Sequence, residues 1–358
     1  MSTVVQLRPA RRTQLQPARI ALLGTGTVGN AFAQRYLRLK AAGVDLPEVA
    51  WISNSRVQLP GRDGLADAVE AACAAPRRDG GVPPWAEGEG LRRGDIVVDA
   101  TASERVADWH PEWLSRGVHV VTANKLGCGG DLGRALAIGD AQHDGTHYGD
   151  AATVGAGLPL LRTIRALVAG GDRIHAVEGV LSGTLAWLFS HFDGSQPFSS
   201  LVREARDAGY SEPDPRIDLS GEDVRRKLLI LARASGLSLE AHQVEVDALL
   251  PSALRDAALD DVDGLLPSLD EALLARLQDA RDASARLCFV GRYDAEGRAS
   301  AGLRALPASH PLCAGSGTDN RVAIWSDRYR DSPLVIQGPG AGAEVTAAAL
   351  LDDVLAIA

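Results

Sequence analysis

The chain has no surplus of positive charge. Its 358 residues carry 37 Lys and Arg against 46 Asp and Glu, a formal net charge of −9. Proteins that grip nucleic acid or anionic membranes generally present a basic surface, so composition argues against both classes. An acidic chain can still hold a phosphorylated cofactor in a local basic pocket. Long apolar runs are missing as well: stretches such as 228-LLILA-232 fall far short of the ~20 residues needed to span a bilayer. Cysteine is scarce. Cys73, Cys128, Cys288 and Cys313 lie far apart with no C-x-x-C spacing, which argues against a disulfide scaffold or a cysteine zinc site and for free thiols in a reducing compartment. The histidines, among them His110, His143, His147, His175, His191, His242 and His310, are scattered without ligand spacing, and none is assigned to a metal. Repeats are absent, as is low complexity beyond richness in alanine.

What is present is ordinary for a globular protein with a real core: 46% hydrophobic and 23% charged residues. At roughly 150 residues per domain the length suggests about two domains. Residues 1–18 hold three arginines and no acid. They faintly resemble an organelle transit peptide but lack the apolar core of a secretory signal. We expect a disordered basic tail and a cytoplasmic protein.

From residue 19 the pattern alternates. Apolar runs 18-ARIALLG-24, 48-EVAWIS-53, 95-DIVVDAT-101 and 118-VHVVTAN-124 read as strands. Between them, 30-NAFAQRYLRLK-40 and 104-ERVADWHPEWLSRG-117 read as helices, the second interrupted near Pro111, while 60–94 holds a short helix and a long loop. Continuous apolar strands alternating with helices predict a parallel sheet covered on both faces. After residue 150 the character changes. Helices are expected at 184–192, 199–208 and 221–235, antiparallel strands at 286–293 and 299–306, further strands at 321–327 and 333–338, and a terminal helix over 343–358. The reading is an α/β Rossmann-type domain at 19–150, an α+β domain at 151–335, and a C-terminal segment, 336–358, that returns to the first.

The loop Gly24-Thr-Gly26-Thr27-Val28-Gly29 follows a predicted strand and opens a predicted helix. There the first glycine makes the turn, the second lets the backbone approach a pyrophosphate, and the third lets helix and strand pack closely; the helix N-terminus favours the anion. An acid at the end of the second strand would select NAD. Here that strand ends in Ser53-Asn54-Ser55-Arg56 with no carboxylate. Arg56 can meet a 2′-phosphate, which tilts the choice toward NADP over NAD, or it is an ordinary solvated loop arginine.

In the second half, Glu212-Pro213-Asp214-Pro215 sets each acid before a proline, which stiffens the loop. A stiff loop bearing carboxylates suits a small cation such as an α-amino group; a solvated turn is the simpler reading for Asp214. Next comes a helix expected to start near Ser220. Asp223 and Lys227 lie on one face of it, bordering the stripe of Val224, Leu228 and Leu231. Burial favours a neutral amine and the acid a charged one, an opposition that suits proton transfer. Alternatively, Ser220-x-x-Asp223 is a capping-box-like start and Asp223–Lys227 a plain helix ion pair.

The stretch Ala205…Gly209-Tyr210…Asp214-Pro215…Asp218-Leu219…Gly221…Asp223…Lys227 resembles the homoserine dehydrogenase family. So do Asn124-Lys125, Thr153-Val154-Gly155-Ala156-Gly157-Leu158-Pro159, Leu181-Ser182-Gly183-Thr184 and Gly338-Pro339-Gly340-Ala341-Gly342…Val345-Thr346-Ala347. The nearest likeness is to dehydrogenase portions of bifunctional aspartokinase–homoserine dehydrogenases. No kinase or C-terminal regulatory domain is seen, so threonine control through such a domain is not expected. The resemblance implies NAD(P)-dependent, reversible conversion of L-aspartate 4-semialdehyde to L-homoserine in threonine and methionine biosynthesis, by a homodimer formed through the second domain. It makes Lys227 the proton donor and puts Lys125 beside substrate and cofactor. Glu212 and Asp218 hold the substrate amino group, Asp223 binds substrate or orients Lys227, and Gly183 and Thr184 line the substrate site. Thr101, Ala102 and Gly342 lie along the cofactor. The family pattern also implies a monovalent cation, Na or K, on the carbonyls of Val154, Ala156 and Leu158 with an acid three residues before the valine. That position is Ala151 here, and Asp150 is one residue away.

Two rival readings stand beside this one. An aldehyde-oxidising dehydrogenase would use Cys128 as nucleophile, although no histidine partner is evident in sequence. A non-catalytic NADP-binding sensor would bind cofactor without turnover.

Overall fold

The computed structural model describes residues 17–61, 64–76, 90–142, 145–314 and 317–358. Almost all of the expected tail at 1–18, most of the loop before residue 90, and His143 lie outside them.

The first half contains β1 (Arg19–Leu23), α1 (Thr27–Ala41), β2 (Glu48–Ser53), β3 (Gln58–Pro60), α2 (Leu65–Ala74), β4 (Ile96–Asp99), α3 (Glu104–Ser115), β5 (His119–Thr122), α4 (Leu126–Gly129), α5 (Leu132–Ala141) and β6 (Tyr148–Gly149). The sheet order is β3-β2-β1-β4-β5-β6. Every pair is parallel except β2–β3. Strand β1 is central, and Ile20 to Leu23 are wholly buried, as its unbroken apolar run requires.

Two local expectations are corrected. The first is β3, an antiparallel edge strand in a stretch to which no element was assigned. The Asn54 carboxamide oxygen accepts the backbone N–H groups of Arg56 (2.8 Å) and Val57 (3.0 Å), which reverses the chain. Pro60 is tolerated because it lies on an edge. The second is α3, which runs unbroken through Pro111. A proline removes one helical hydrogen bond, but Val106, Trp113 and Leu114 are fully buried on either side and hold both halves in place.

The second half contains α6 (Leu160–Ala169), β7 (Ile174–Val180), α7 (Gly183–His191), α8 (Phe198–Asp207), α9 (Arg216–Leu219), α10 (Glu222–Ala234) and β8 (Val244–Val246). Then follow α11 (Ser252–Arg255), α12 (Val262–Leu265), α13 (Asp270–Asp282), β9 (Ala285–Asp294), β10 (Ala299–Pro307), β11 (Asp319–Ser326), β12 (Leu334–Pro339) and α14 (Ala343–Ile357). Its sheet has the order β12-β11-β7-β9-β10-β8. It is antiparallel apart from the β10–β8 pair. Buried Val177, Phe289, Leu303 and Val322 share one core with Val224 and Leu228 of α10. The terminal helix α14 leaves this sheet: its Ala347, Leu350, Leu351 and Val354 pack in the same cluster as Ile20, Leu22 and Phe32 of β1 and α1.

The two halves meet where α4 lies on α10. A Cβ on Gly129 would stand 2.9 Å from the Arg226 carbonyl and 3.0 Å from the Ile230 side chain, so only glycine allows this approach. Arg233 of α10 then donates to the Cys128 (2.7 Å) and Gly130 (2.9 Å) carbonyls. This clamp brings Lys125, the residue just before α4, to the first turns of α10.

Candidate active site

The nucleotide end is built by the C-terminal edges of β1 and β4, where the sheet order reverses and α/β sheets bind their ligands. Gly24 has φ +90°, and a Cβ there would meet the Ala100 carbonyl at 2.8 Å. A Cβ on Gly29 would overlap the Gly24 carbonyl at 1.9 Å, so α1 packs tightly on the turn. Gly26 is the opposite: it caps α1 without a side-chain hydrogen bond, and the space its Cβ would fill holds no atom of the described residues within 4 Å. Thr27 is exposed beside it and Val28 half-buried. The first N–H groups of α1 therefore face an open cradle fitted to a pyrophosphate. Thr101 and exposed Ala102 lie just beyond β4.

Arg56 is neither free nor simply solvated. Its guanidinium donates to the carbonyls of Cys73 and Ala75 at the end of α2, which leaves Ser55 as the exposed residue of that loop.

The chemical end gathers three charged groups from distant segments. Lys125 Nζ stands 3.3 Å from Asp223 Oδ1. Lys227 Nζ stands 2.7 Å from Asp223 Oδ2 and donates to the Leu181 carbonyl at 2.7 Å. Lys227 is only 7% exposed. Burial pushes the Asp223 carboxyl up, but Lys227 and then Lys125 outweigh it and hold it at about 2. The pair is thus more than a plain i,i+4 contact, because a second amine from the other half of the chain shares the acid. The capping-box start is also corrected. Helix α10 begins at Glu222 after Gly221, whose φ of +76° makes the turn; the Ser220 hydroxyl donates to the Ile217 carbonyl (2.8 Å) and accepts the N–H of Glu222 (3.2 Å), not that of Asp223.

The loop before α10 is tied to the same place. Asp218 Oδ2 accepts the Ser211 hydroxyl (3.1 Å) and the Glu212 N–H (3.0 Å). Thr184 Oγ1 lies 2.9 Å from Asp218 Oδ1 and 2.6 Å from the Tyr210 carbonyl. Thr184 and Gly183 begin α7, three and two residues after Leu181, so the segment that holds Lys227 also holds this loop. Glu212 is exposed. Asp214 is engaged by Arg216 at 2.8 Å, and that hydrogen bond lowers its pKa, in keeping with a turn residue.

Residues 24–148 match the family model described as homoserine dehydrogenase, NAD binding domain, and residues 159–355 match the model described as homoserine dehydrogenase. The chain is 37% identical over 270 residues to homoserine dehydrogenase of Saccharomyces cerevisiae, covering 74% of this chain and 75% of that one. The chain belongs to the homoserine dehydrogenase family. It is also 46% identical over 260 residues to bifunctional aspartokinase/homoserine dehydrogenase 2 of Escherichia coli K12, covering 72% of this chain and 32% of that protein; it therefore spans about a third of the length of this relative. A putative homoserine dehydrogenase from Archaeoglobus fulgidus has the same fold, with a TM-score of 0.76 at 25% identity over 95% of this chain and 99% of that one.

The family's monovalent cation does not fit the residues found here. Asp150, the one acid near the required position, is fully buried and bound through both oxygens by Arg165, at 2.6 and 2.7 Å. The Ala151 N–H goes to Asp353 (3.1 Å). The guanidinium already supplies the positive charge at this loop. Of the three carbonyls expected as ligands, on Val154, Ala156 and Leu158, that of Leu158 accepts the Leu160 N–H at 2.8 Å. No role in the reaction is assigned to a cation.

Cys128 is unsuited to nucleophilic attack. Burial, reinforced by Asp150, pushes its thiol up to about 12, so it is a thiol and not a thiolate at working pH. Two contributors escaped the sequence reading. One is the Leu181 carbonyl, since a backbone acceptor leaves no mark in the sequence. The other is Asn320, wholly buried, whose Nδ2 reaches the Leu181 carbonyl at 3.4 Å and whose Oδ1 has no hydrogen-bond partner among the described residues. A Cβ on Gly340 would overlap the Asn320 side chain at 2.0 Å. The glycine-rich block was legible, but the asparagine that explains it was not.

Proposed function

We propose that this protein is a homoserine dehydrogenase that interconverts L-homoserine and L-aspartate 4-semialdehyde with NADP or NAD. The observation that carries the reading is the sharing of Asp223 by Lys125 and Lys227. It sets two ammonium groups, one from each half of the chain, around one carboxylate. The cradle of Gly24, Gly26, Thr27, Val28 and Gly29, with Thr101 and Ala102 beside it, fits a dinucleotide; when bound, its nicotinamide supplies or accepts the hydride, and Gly342 is assigned to it by resemblance alone.

The chain's own groups do the rest. Lys227 donates a proton to the substrate oxygen as negative charge develops there and takes one back in the reverse direction. Such acid–base help is worth ~10²–10⁴-fold. Lys125 adds positive charge at the same oxygen and lies on the cofactor side. Asp223 holds both amines in place. Glu212 and Asp218 receive the substrate amino group, with Thr184 fixing Asp218, and this orientation sets the reacting distance.

We further propose a homodimer formed through the second domain. We place the protein in the cytoplasm, since its four cysteines are unpaired. No helix among the described residues is long and apolar enough to cross a membrane.

A steady-state assay at 340 nm with L-homoserine and each cofactor tests the central reading. Turnover with NADP exceeding that with NAD is expected, as no acid at the end of β2 selects NAD. Cofactor binding without any absorbance change would instead support the sensor. Loss of turnover on alkylating Cys128, with no protection by substrate, would support the thiol enzyme.

A further inference from the structure

A second cluster of titratable groups lies under the site and takes no part in the chemistry above. Asp99 ends β4 and is wholly buried, as is His110 of α3. His110 Nε2 stands 3.0 Å from Asp99 Oδ2, and His110 Nδ1 stands 3.0 Å from the Tyr148 hydroxyl. With Nε2–H donating to the carboxylate, Nδ1 is left to accept the tyrosine proton. Burial keeps that hydroxyl protonated, well above its ordinary range.

The carboxylate also holds both sides of the reaction centre. Asp99 Oδ1 accepts the Thr101 N–H at 2.9 Å, on the cofactor side. Asp99 Oδ2 accepts Asn124 Nδ2 at 3.0 Å, and Asn124 is 2% exposed and immediately precedes Lys125. Asn124 Oδ1 in turn accepts the Leu126 N–H at 3.1 Å. At the far end, Tyr148 supports the same segment. A Cβ on Gly127 would lie 2.1 Å from its hydroxyl oxygen and 3.1 Å from His110 Nδ1. The backbone on both sides of Lys125 thus rests on this network.

We propose that Asp99 and His110 are positioning residues that hold the Lys125 ammonium in register with the cofactor turn at Thr101. This rests on the function proposed above, since it concerns the distance between an amine and a cofactor that must react together. A misplacement of the order of 1 Å costs about 100-fold in rate, so small shifts in this network are readable.

The test uses His110→Leu, His110→Gln, Asp99→Asn and Tyr148→Phe in the full chain, with Val106→Ala as a control on the same helix. Val106 is wholly buried but outside the network. Measured are kcat, KM for homoserine, the primary isotope effect with homoserine deuterated at the reacting carbon, and NADPH affinity by fluorescence titration. His110→Leu and Asp99→Asn should lower kcat about 10- to 100-fold, with KM for homoserine within about twofold and a larger isotope effect. His110→Gln, whose amide can still donate to Asp99, should recover most of kcat. Tyr148→Phe should act in the same direction as His110→Leu but more weakly. Asp99→Asn should also weaken NADPH binding severalfold, and Tyr148→Phe should weaken it by a smaller but measurable factor. Val106→Ala should lower the melting temperature without these changes.

The inference is overturned if folded His110→Leu keeps kcat within twofold, or if Val106→Ala reproduces its kcat loss. Should the unmodified protein turn over no homoserine, the function fails first. The NADPH titration of Asp99→Asn then decides the network alone: weaker binding supports it and unchanged binding refutes it. If Asp99→Asn does not fold, Tyr148→Phe takes its place in that titration, with the same two outcomes.

Discussion

Replacing Lys227 by alanine removes an ammonium that the structure commits to two acceptors, the Asp223 carboxylate and the Leu181 carbonyl, each at 2.7 Å. Loss of an acid–base group is expected to lower kcat by ~10²–10⁴, or about 3–5 kcal/mol of barrier. A separate effect reaches stability. In the intact protein Asp223 is held at about 2 against an ordinary 3.8. A carboxyl lowered by folding stabilises the fold above its ordinary pKa and loses that contribution as pH falls toward the folded value. The carboxylate is 39% exposed, so solvent screening reduces the contribution to about 1 kcal/mol. Lys227 is the larger of its two cationic supports, and burial still opposes ionisation. The variant should therefore melt about 2 °C lower at neutral pH, and the pH-dependent part of the gap should close as pH falls from about 4 to about 2. The assays are NADPH formation from homoserine at pH 8 and thermal melts across pH. Lys227→Arg should not restore turnover, because a guanidinium does not release its proton near neutral pH. A folded Lys227→Ala enzyme with kcat within threefold of the parent would refute the assigned role.

Other consequences can be checked directly. Gly26→Val places a side chain where no atom of the described residues lies within 4 Å, so thermal stability should hold while NADPH affinity, read by fluorescence, falls at least about tenfold if the cradle takes the pyrophosphate. Asp218→Asn removes the charge that secures the Ser211–Glu212 backbone; KM for homoserine should rise more than kcat falls, and an unchanged KM would separate Asp218 from substrate binding. Because Arg165 already neutralises Asp150, exchanging potassium or sodium for choline at constant ionic strength should leave kcat within twofold. A strong requirement for either metal would show that a cation binds despite the guanidinium.

The amino-acid sequence alone determined the parts that depend on near neighbours. The apolar runs of β1, β2, β4 and β5 specify buried strands, because a strand covered on both faces has little place for polar residues along its length; Ser53, Asp99 and Thr122 are confined to the C-terminal ends. The glycine spacing at 24–29 specifies a tight turn into a helix, since Gly29 must clear the Gly24 carbonyl. The pairing of Asp223 with Lys227 follows from helical spacing. Where local context was outweighed, the reading slipped. Pro111 broke no helix because burial on both sides held it, and Ser220 formed no capping box with Asp223 because Gly221 made the turn one residue later and the Ser220 hydroxyl took the Glu222 N–H instead. Only the tertiary structure decided that Lys125 joins Asp223, since that contact needs α4 pressed on α10 at Gly129. It alone supplied Leu181, Asn320 and the Asp99–His110 support, and it alone matched Asp150 to Arg165. Each of these unites residues from different secondary-structure elements, and neither periodicity nor spacing encodes a contact that only the packing of those elements brings about.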